Sequence, residues 1–364
     1  MNITIVAGAR PNFMKIAPIM EAISNKKEAG HDIDFRLVHT GQHYDKNLSD
    51  TFFQELNIPF PDINLNVKSG TQAEQTAAIM IAFEKELRTN PCDLVLVVGD
   101  VTSTMACTIV AKKEGVKVAH VEAGIRSGDM RMPEEINRIV TDSLTDYFFT
   151  TSSYANDNLI KLGVDQENIF FSGNVMIDTL LKNRPRFEKP DFWEDLSLTK
   201  KKYMVMTLHR PSNVDGEQRL RSLLKQITTL GKDYPIVFPV HPRTKKVLEG
   251  LDLNFENLHY VDPMGYLAFN YLVENAFTVL TDSGGITEET TVMNVPCITL
   301  RDSTERPETC IQGTNMLVGN DPEKMEMAFS KLLSGNWPST RIPELWDGKA
   351  ADRIANYIIG IYNL

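Results

Sequence analysis

Three carboxylates, Asp100, Glu122 and Glu134, stand where the sequence predicts acid/base chemistry. Asp100 and Glu122 come just after the apolar runs 94–98 and 116–121, and Glu134 follows a proline in an expected first helical turn. Helix capping alone would explain Asp100, and the helix dipole would explain Glu134. A carboxylate directly after a buried strand, as at Glu122, must instead be solvated by a site or paired. Together the three predict general acids and bases along one crevice edge.

Histidine and arginine occur together after two predicted strands of the second half. His209-Arg210 follows one strand, and His241-Pro242-Arg243 follows the next. A single histidine is more often structural, but one accompanied by arginine at a strand end suits a phosphate clamp or a proton shuttle. The repeat of this arrangement favours the functional interpretation.

The sequence around Ser283 predicts a diphosphate-binding turn. An apolar strand runs into Ser283-Gly284-Gly285, which can open a helix whose backbone N–H groups wrap a pyrophosphate. Glu289 follows one helical turn further on, where a carboxylate can receive ribose hydroxyls. A Gly-Gly pair before a helix is a generic turn by itself, but here the charged segment 300–308 follows.

The first predicted strand ends in a segment that could bind phosphate. Gly8 permits close backbone approach, Arg10 supplies a bidentate fork, and Lys15 follows. Taken alone, the segment is equally well explained as a strand-to-helix turn with solvated cations.

The elements that must position these residues alternate between strand and helix. Short apolar runs begin at residues 3, 35, 94 and 116, and again at 203, 236, 259, 278 and 297, with helical periodicity between them. This alternation is typical of parallel sheets covered by helices. It predicts an α/β protein with two Rossmann-like domains, at 1–183 and 203–349, joined by a proline- and charge-rich linker at 184–202. A helical pattern at 350–364 is expected to pack back on one of them.

Composition narrows the class of protein. The 364 residues are 42% hydrophobic and 24% charged, as in ordinary globular proteins. A net charge of −10 opposes binding to a nucleic-acid backbone, and no apolar run approaches the roughly 18 residues of a membrane span. Four cysteines without a C-x-x-C pair are typical of free thiols. We therefore expect a cytoplasmic protein with neither nucleic-acid nor membrane partners.

Taken in order, these motifs resemble those of the non-hydrolysing UDP-N-acetylglucosamine 2-epimerases. The matching segments are GARPNFMK, GDVTST, HVEAGIRSGD, RMPEEINR, the His-Arg pair at 209–210, DSGGITEE and LRDSTERPE. The resemblance implies a GT-B fold with the active site in the cleft between two Rossmann-like domains, and a C-terminal helix that returns to the first. It also implies a homodimer that interconverts UDP-GlcNAc and UDP-ManNAc, in cell-surface polysaccharide biosynthesis, without a cofactor or metal.

The site residues of that family carry over onto matching positions of this chain. Its catalytic residues fall on Asp100, Glu122, Glu134 and His209. Its substrate-binding residues fall on Arg10, Lys15, Ser283, Gly284, Gly285, Glu289 and Arg306. In members with an allosteric site for a second UDP-GlcNAc, that site matches Gln42, Glu134, Arg210 and His241.

The chemistry of C2 explains why several acid/base groups are needed. The C2 proton of a hexosamine has no adjacent carbonyl, so its direct removal exceeds the roughly 10²–10⁴-fold that a general base supplies. If UDP leaves first, C1 becomes oxocarbenium-like and the C2 proton becomes acidic enough for a carboxylate. Re-adding UDP after protonation on the opposite face of C2 inverts that centre. We expect the three carboxylates to move the protons and His209 to stabilise the leaving group or relay a proton.

Other functions remain as alternatives. The RMPEE form of the motif also appears in relatives that act on UDP-diacetamido-uronic acids, so the substrate could be such a sugar. A GT-B glycosyltransferase would share the nucleotide site but need an acceptor pocket, and a hydrolysing relative would release free ManNAc and UDP. A non-catalytic sensor is disfavoured, because three carboxylates would weaken the binding of an anionic ligand.

Overall fold

A computed structural model of the chain describes residues 1–41, 55–56, 58–214, 216–240, 248 and 255–364. These residues form two compact units. The first comprises Met1–Lys182 with Glu344–Leu364, and the second comprises Asn183–Pro343. Each unit is built on a parallel sheet with helical crossovers, so the predicted α/β class is confirmed.

The first unit contains a fully parallel sheet. Its strands are β1 (Asn2–Ala7), β2 (Asp34–His39), β3 (Ile63–Asn64), β4 (Leu94–Val98), β5 (Lys117–Val121), β6 (Tyr147–Thr150) and β7 (Ile169–Phe171). They lie in the order β3-β2-β1-β4-β5-β6-β7. The helices are α1 (Arg10–Glu28), α2 (Gln72–Thr89), α3 (Thr102–Lys113), α4 (Pro133–Leu144), α5 (Ser153–Lys161) and α6 (Val175–Asn183). The strand order reverses direction between β1 and β4, the position where open α/β sheets bind ligands.

Local sequence accounts for these elements. All five residues of β4 are apolar and buried, as expected for a strand covered on both faces. Helix α2 begins with a capping box, in which Thr71 N donates to Glu74 Oε2 (2.8 Å) and Glu74 N donates to Thr71 Oγ1 (3.2 Å). Its buried face contributes Ile79, Phe83 and Leu87 to the core of the first unit. In the part of the chain described, no helix has both the length and the hydropathy needed to cross a membrane.

The end of the chain belongs to the first unit. Helix α13 (Ala350–Tyr362) contacts α1. The carboxylate of Asp178 accepts hydrogen bonds from Ala350 N (3.1 Å) and Ala351 N (2.7 Å), which caps the first turn of α13. The indole of Trp346 is buried and donates to the carbonyl of Thr151 at 3.0 Å.

The second unit repeats the same architecture. Its strands are β8 (Met204–Thr207), β9 (Ile236–Pro239), β10 (Leu258–Val261), β11 (Thr278–Thr281), β12 (Cys297–Thr299) and β13 (Asn315–Leu317). They are parallel and lie in the order β10-β9-β8-β11-β12-β13. The helices are α7 (Pro211–Val214), α8 (Glu217–Leu230), α9 (Tyr266–Glu274), α10 (Gly284–Met293), α11 (Pro307–Ile311) and α12 (Pro322–Leu333). The direction of strand order reverses between β8 and β11.

Residues 184–202, for which the sequence predicts a linker, lie within the second unit. The ring of Trp193 is buried and meets Tyr203 and Tyr271 edge to face, with centroids 5.4 and 5.5 Å apart. Arg184 Nε also lies 2.6 Å from Glu274 Oε1 on α9. One large aromatic side chain thus anchors a segment whose prolines and charges otherwise resemble those of a linker.

Candidate active site

The first unit brings Glu122 and Lys15 together at the carboxyl ends of β1, β4 and β5. Lys15 Nζ lies 2.6 Å from Glu122 Oε2, and the Glu122 side chain is only 4% exposed. The backbone of Glu122 has φ +71°, a left-handed conformation that non-glycine residues seldom adopt. Strained residues of this kind cluster at functional sites. The sequence predicted both residues for the site, and the ion pair between them is an addition from the structure.

Gly99 makes room for this ion pair. Its φ is +66°, and a Cβ atom at this position would lie 3.1 Å from Lys15 Nζ and 3.7 Å from Glu122 Oε2. Asn12 borders the same space and fixes the start of α1, because its Oδ1 accepts from Gly8 N and Ala9 N at 3.1 and 2.9 Å. The Gly8 turn is therefore held by Asn12, a residue that was not predicted for the site.

Asp100 is paired with Arg138 of α4. The guanidinium of Arg138 donates to Asp100 Oδ2, and Asn137 Nδ2 donates to the Asp100 carbonyl at 2.8 Å. Arg138 was not predicted for the site, although it ends the RMPEEINR motif. Its position three residues after Glu135 in a predicted helix could have indicated a role, because both side chains then lie on one face of α4.

Glu134 and Glu135, adjacent in the first turn of α4, have different surroundings. Glu134 is exposed, and among the described residues none forms a hydrogen bond or ion pair with its carboxylate. Glu135 is 2% exposed and accepts from Ser127 N (2.8 Å), Ser127 Oγ (3.0 Å) and Gly128 N (3.1 Å). Glu135 therefore anchors the loop before α4, whereas Glu134 remains accessible to a ligand.

In the second unit, His209 and Asp282 form a pair at the ends of β8 and β11. His209 Nδ1 lies 2.7 Å from Asp282 Oδ1. The same carboxylate accepts from His209 N (3.2 Å), Arg210 N (3.0 Å) and Asn213 Nδ2 (3.0 Å). Burial raises the pKa of Asp282, but the hydrogen bonds from His209, Asn213 and Arg210 outweigh it and hold that pKa below its ordinary value. Asp282 stands in the DSGGITEE motif but was not predicted for the site.

The predicted diphosphate-binding turn begins α10. Ser283 is the N-cap residue, and Gly284 and Gly285 form the start of the helix, where backbone N–H groups lack intrahelical partners. A Cβ atom on Gly285 would meet none of the described atoms within 4 Å, so the approach to this turn is open. Arg301 lies beside it, since its NH1 would be 3.5 Å from a Cβ at Gly284. The Arg301 guanidinium is held by Glu305 through two hydrogen bonds of 2.8 Å.

Glu289 and Arg306 are buried near this turn with partners of their own. Glu289 is 4% exposed and accepts from the hydroxyl of Tyr266 at 2.9 Å. Burial raises the pKa of Glu289 to about 7. Arg306 Nε pairs with Oε1 of Glu288, a buried neighbour of Glu289 on α10. The predicted roles of Glu289 with ribose and of Arg306 with the nucleotide stay predictions.

The structure does not describe the side chains of three predicted residues. Gln42 and His241 lie outside the described residues, and for Arg10 only the backbone, at the start of α1, is described. Arg210 is half-buried, and its Nε donates to the Asp282 carbonyl at 3.1 Å. The proposed allosteric set therefore stays a prediction.

The two units together define a class of protein. Each unit has a doubly wound parallel sheet. At the strand ends of the first unit lie two carboxylates, each paired with a basic side chain. At the strand ends of the second unit, a helix start that can bind an anion follows a His-Asp pair. Two such Rossmann-like units, with acid/base groups and a phosphate-type turn, are the features of a GT-B-type α/β enzyme.

Comparisons with known proteins identify the family. The family model described as UDP-N-acetylglucosamine 2-epimerase matches residues 25–359. The UDP-N-acetylglucosamine 2-epimerase of Methanocaldococcus jannaschii is 40% identical over 98% of this chain and 99% of its own length. A crystal structure of that enzyme in complex with UDP-GlcNAc and UDP superposes with a TM-score of 0.88, covering 99% of this chain and 100% of the other. The UDP-2,3-diacetamido-2,3-dideoxy-D-glucuronate 2-epimerase of Pseudomonas aeruginosa is 37% identical over 98% of this chain and 99% of its own.

The chain therefore belongs to the UDP-N-acetylglucosamine 2-epimerase family, and the resemblance read from its motifs is confirmed. The predicted enzyme class and the GT-B-type fold are confirmed with it.

Proposed function

We propose that this chain interconverts UDP-GlcNAc and UDP-ManNAc by inverting C2 of the sugar. The observation that carries the proposal is the pair of ion-paired carboxylates, Glu122 with Lys15 and Asp100 with Arg138, at neighbouring strand ends in a member of this family. Carboxylates at these positions can serve as general bases or acids toward a bound sugar.

In the proposed reaction, the bond between C1 and the UDP oxygen breaks first. The C2 proton then passes to a carboxylate, which leaves a glycal with a C1–C2 double bond and free UDP. A second acid protonates C2 from the opposite face, and a UDP oxygen adds back to C1. Asp100, Glu122 and Glu134 are the proposed proton donors and acceptors, and Lys15 and Arg138 hold two of them in place.

We assign the nucleotide diphosphate to the second unit. The N–H groups at Gly284 and Gly285 supply donors for the diphosphate, whose negative charge grows as the C1 bond breaks. The Ser283 N–H donates to Thr281 Oγ1 at 3.0 Å and so fixes the start of this turn. His209, anchored through Nδ1 on Asp282, has Nε2 available for the leaving oxygen. Arg10, Arg306 and Glu289 complete the proposed set, with Glu289 on the ribose hydroxyls.

Exchange of the C2 hydrogen with solvent tests this proposal. The wild-type chain, incubated with UDP-GlcNAc alone in D₂O, should form UDP-ManNAc and place deuterium at C2 of both sugars, as NMR and mass spectrometry would report. Free ManNAc would identify a hydrolysing enzyme instead. Absence of any epimer from UDP-GlcNAc would favour a transferase or an epimerase for another UDP-sugar, and an unlabelled epimer would exclude the elimination route.

A second candidate substrate is a UDP-2,3-diacetamido-uronic acid. It is favoured by the 37% identity to the Pseudomonas aeruginosa enzyme and by the RMPEE form of the motif before α4. The same reaction at C2 would apply, because only the substituents at C3 and C6 differ. Values of kcat/KM for both UDP-sugars, measured side by side, decide between them.

We also propose that the chain forms a homodimer through an apolar face of the first unit. Ile81 of α2 and Ile136 and Ile139 of α4 are exposed, as is Met130 just before α4. A cavity of about 500 Å³ on the same face is lined largely by apolar side chains of α2, α3 and α4. A second copy would remove this surface from water. Light scattering should give the dimer mass for the wild type and the monomer mass for Ile136→Asp; a monomeric wild type would refute the proposal.

We propose a reducing compartment, the cytoplasm, as the place of action. Cys92, Cys107, Cys297 and Cys310 are all free thiols, and burial raises the pKa of each. Cys107 and Cys297 are fully buried and Cys92 and Cys310 half-buried. Thiols of raised pKa react slowly, which suits packing residues of a protein kept reduced. Fractionation of cells that express the tagged chain tests the assignment.

A further inference from the structure

His120 is a fully buried side chain that is hydrogen-bonded at both ring nitrogens. Its ring, on β5, is 0% exposed, with Nδ1 2.7 Å from Asp142 Oδ1 and Nε2 2.8 Å from the carbonyl oxygen of Gly99. His120 therefore ties α4 on one side to the turn after β4 on the other.

Asp142 extends this network to a third segment. Its second oxygen, Oδ2, accepts from Gly124 N at 3.1 Å and lies 2.7 Å from Arg126 NH2. Burial raises the pKa of Asp142, but His120 and Arg126 outweigh it and hold that pKa below its ordinary value. The Asp142 carboxylate is thus ionised and used on both oxygens.

The three segments joined by this network are those that carry the proposed proton-transfer groups. Gly99 precedes Asp100, Gly124 follows Glu122 by two residues, and Asp142 lies on α4, the helix that begins with Glu134. We propose that His120 and Asp142 are positioning residues that set the spacing of Asp100, Glu122 and Glu134. This inference rests on the proposed function.

Packing alone does not require a polar network at this position. In the sheet, His120 is in register with Val97 of β4 and Phe148 of β6, both apolar and buried. An apolar side chain would suit that environment, and buried ion pairs are commonly no more stabilising than the apolar groups that could replace them. An apolar side chain could not hydrogen-bond to the Gly99 carbonyl, nor to Asp142, which accepts from the Gly124 N–H.

The backbone at both attachment points leaves little freedom. Gly99 and Gly124 have φ of +66° and +77°, and a Cβ on Gly124 would lie 2.3 Å from the carbonyl oxygen of Ala155. Gly99 N also donates to the carbonyl of Val121 at 3.0 Å. A small rotation of the His120 ring would therefore move the turn before Asp100 directly.

Variants that remove one bond at a time test the proposal. His120→Asn keeps a donor near Nδ1 for Asp142, His120→Gln keeps a donor near Nε2 for Gly99, and Asp142→Asn keeps shape but loses charge. We expect each variant to lower kcat and the rate of C2 deuterium exchange by about tenfold to 100-fold. The reason is that a small displacement of a catalytic group lowers the reaction rate strongly. The Kd for UDP should stay within about twofold, since the second unit is proposed to bind the diphosphate.

A control separates positioning from stability. Leu87→Ala removes a buried side chain of α2 from a core cluster that includes neither His120 nor Asp142. It should lower Tm while kcat per folded molecule stays within about twofold of wild type. If His120 or Asp142 variants fail to fold, Arg126→Gln leaves the His120 contacts intact and should lower kcat about threefold to tenfold, an intermediate loss for one lost partner.

The outcomes are distinct. Folded His120 and Asp142 variants with kcat within twofold of wild type, or an Arg126 variant without effect where the others do not fold, would overturn the positioning role alone. A wild-type chain that leaves C2 unlabelled would overturn the proposed function and this inference with it.

Discussion

His209 Nδ1 lies 2.7 Å from Asp282 Oδ1, which joins the ends of the neighbouring strands β8 and β11. The Asp282 side chain is fully buried, whereas that of His209 is 55% exposed. The imidazole is therefore anchored on its protein side by a carboxylate that accepts the Nδ1 hydrogen. This fixes the tautomer and leaves Nε2 as the nitrogen that can meet a leaving oxygen.

If the two side chains act as a unit, their removal should not be additive. We expect Asp282→Asn and His209→Asn each to lower kcat about 100-fold, which is within the usual range for a proton-transfer or oxyanion group. The double variant should be no worse than the more damaged single variant. Steady-state kinetics on the four proteins give the coupling. If the kcat losses of the two single variants multiply in the double variant, the pair does not act together. A wild-type kcat for Asp282→Asn would show the same.

Most helices and strands could be predicted because the alternation of a parallel α/β fold is visible in short stretches of sequence. The run predicted at 94–98 is β4, and α2 lies in the helical pattern predicted between the runs that begin at residues 35 and 94. The strands β3, β6, β7 and β13 went unpredicted, because none of these segments was recognised as a separate apolar run in the sequence. The packing of residues 184–202 went unpredicted as well, because it depends on Trp193 meeting rings far along the chain.

Motif residues of the candidate site were predictable, and their pairings were not. Lys15 and Glu122 are separated by 107 residues, His209 and Asp282 by 73, and Asp100 and Arg138 by 38. Such contacts follow from the strand order of the sheets, which one sequence does not specify residue by residue. The burial of Glu135 against the exposure of Glu134 also arises only once the preceding loop folds onto α4.

The adjacent residues Glu134 and Glu135 of α4 allow a catalytic role to be compared with a structural one. Glu134→Gln should lower kcat about 100-fold and change the free energy of unfolding by less than about 1 kcal/mol, since its side chain is exposed. Glu135→Gln should cost about 1–3 kcal/mol, because an amide nitrogen then faces backbone donors at Ser127 or Gly128. Kinetics and urea unfolding measure both. Full turnover by the Glu134 variant would remove Glu134 from the catalytic set.

Two glycines separate backbone strain from damage to the ion pair. Gly99 and Gly115 both have positive φ, +66° and +77°, but only Gly99 has a Cβ direction blocked by Lys15 Nζ, at 3.1 Å. Alanine at either position should cost about 1–2 kcal/mol of stability for the left-handed backbone. Only Gly99→Ala should also lower kcat, by about tenfold, because Lys15 must move from Glu122. Equal kinetics for the two variants would show that the ion pair tolerates this movement.

Glu289 should make stability depend on pH. Burial raises its pKa from an ordinary value of 4.5 to about 7, so the folded protein binds this proton more tightly than the unfolded chain does. As pH rises from about 4.5 to about 7, the unfolded state is ionised first and the folded state loses stability relative to it. Glu289→Gln cannot ionise, yet its amide oxygen can still accept from the Tyr266 hydroxyl.

The ligand-free Glu289→Gln variant should therefore match the wild type near pH 4.5 and exceed it above pH 7, by up to about 3 kcal/mol for this difference in pKa. Urea unfolding at pH 4.5, 6 and 8 measures the difference. Glu134→Gln, which changes an exposed carboxylate, provides the control and should show no such trend. A gap between Glu289→Gln and wild type that stays constant with pH would mean that the buried carboxyl does not titrate in this window. If that carboxyl does titrate in this window, the carboxylate proposed to receive ribose hydroxyls forms only near neutral pH. The UDP affinity of the wild type should then rise more between pH 6 and 8 than that of Glu289→Gln.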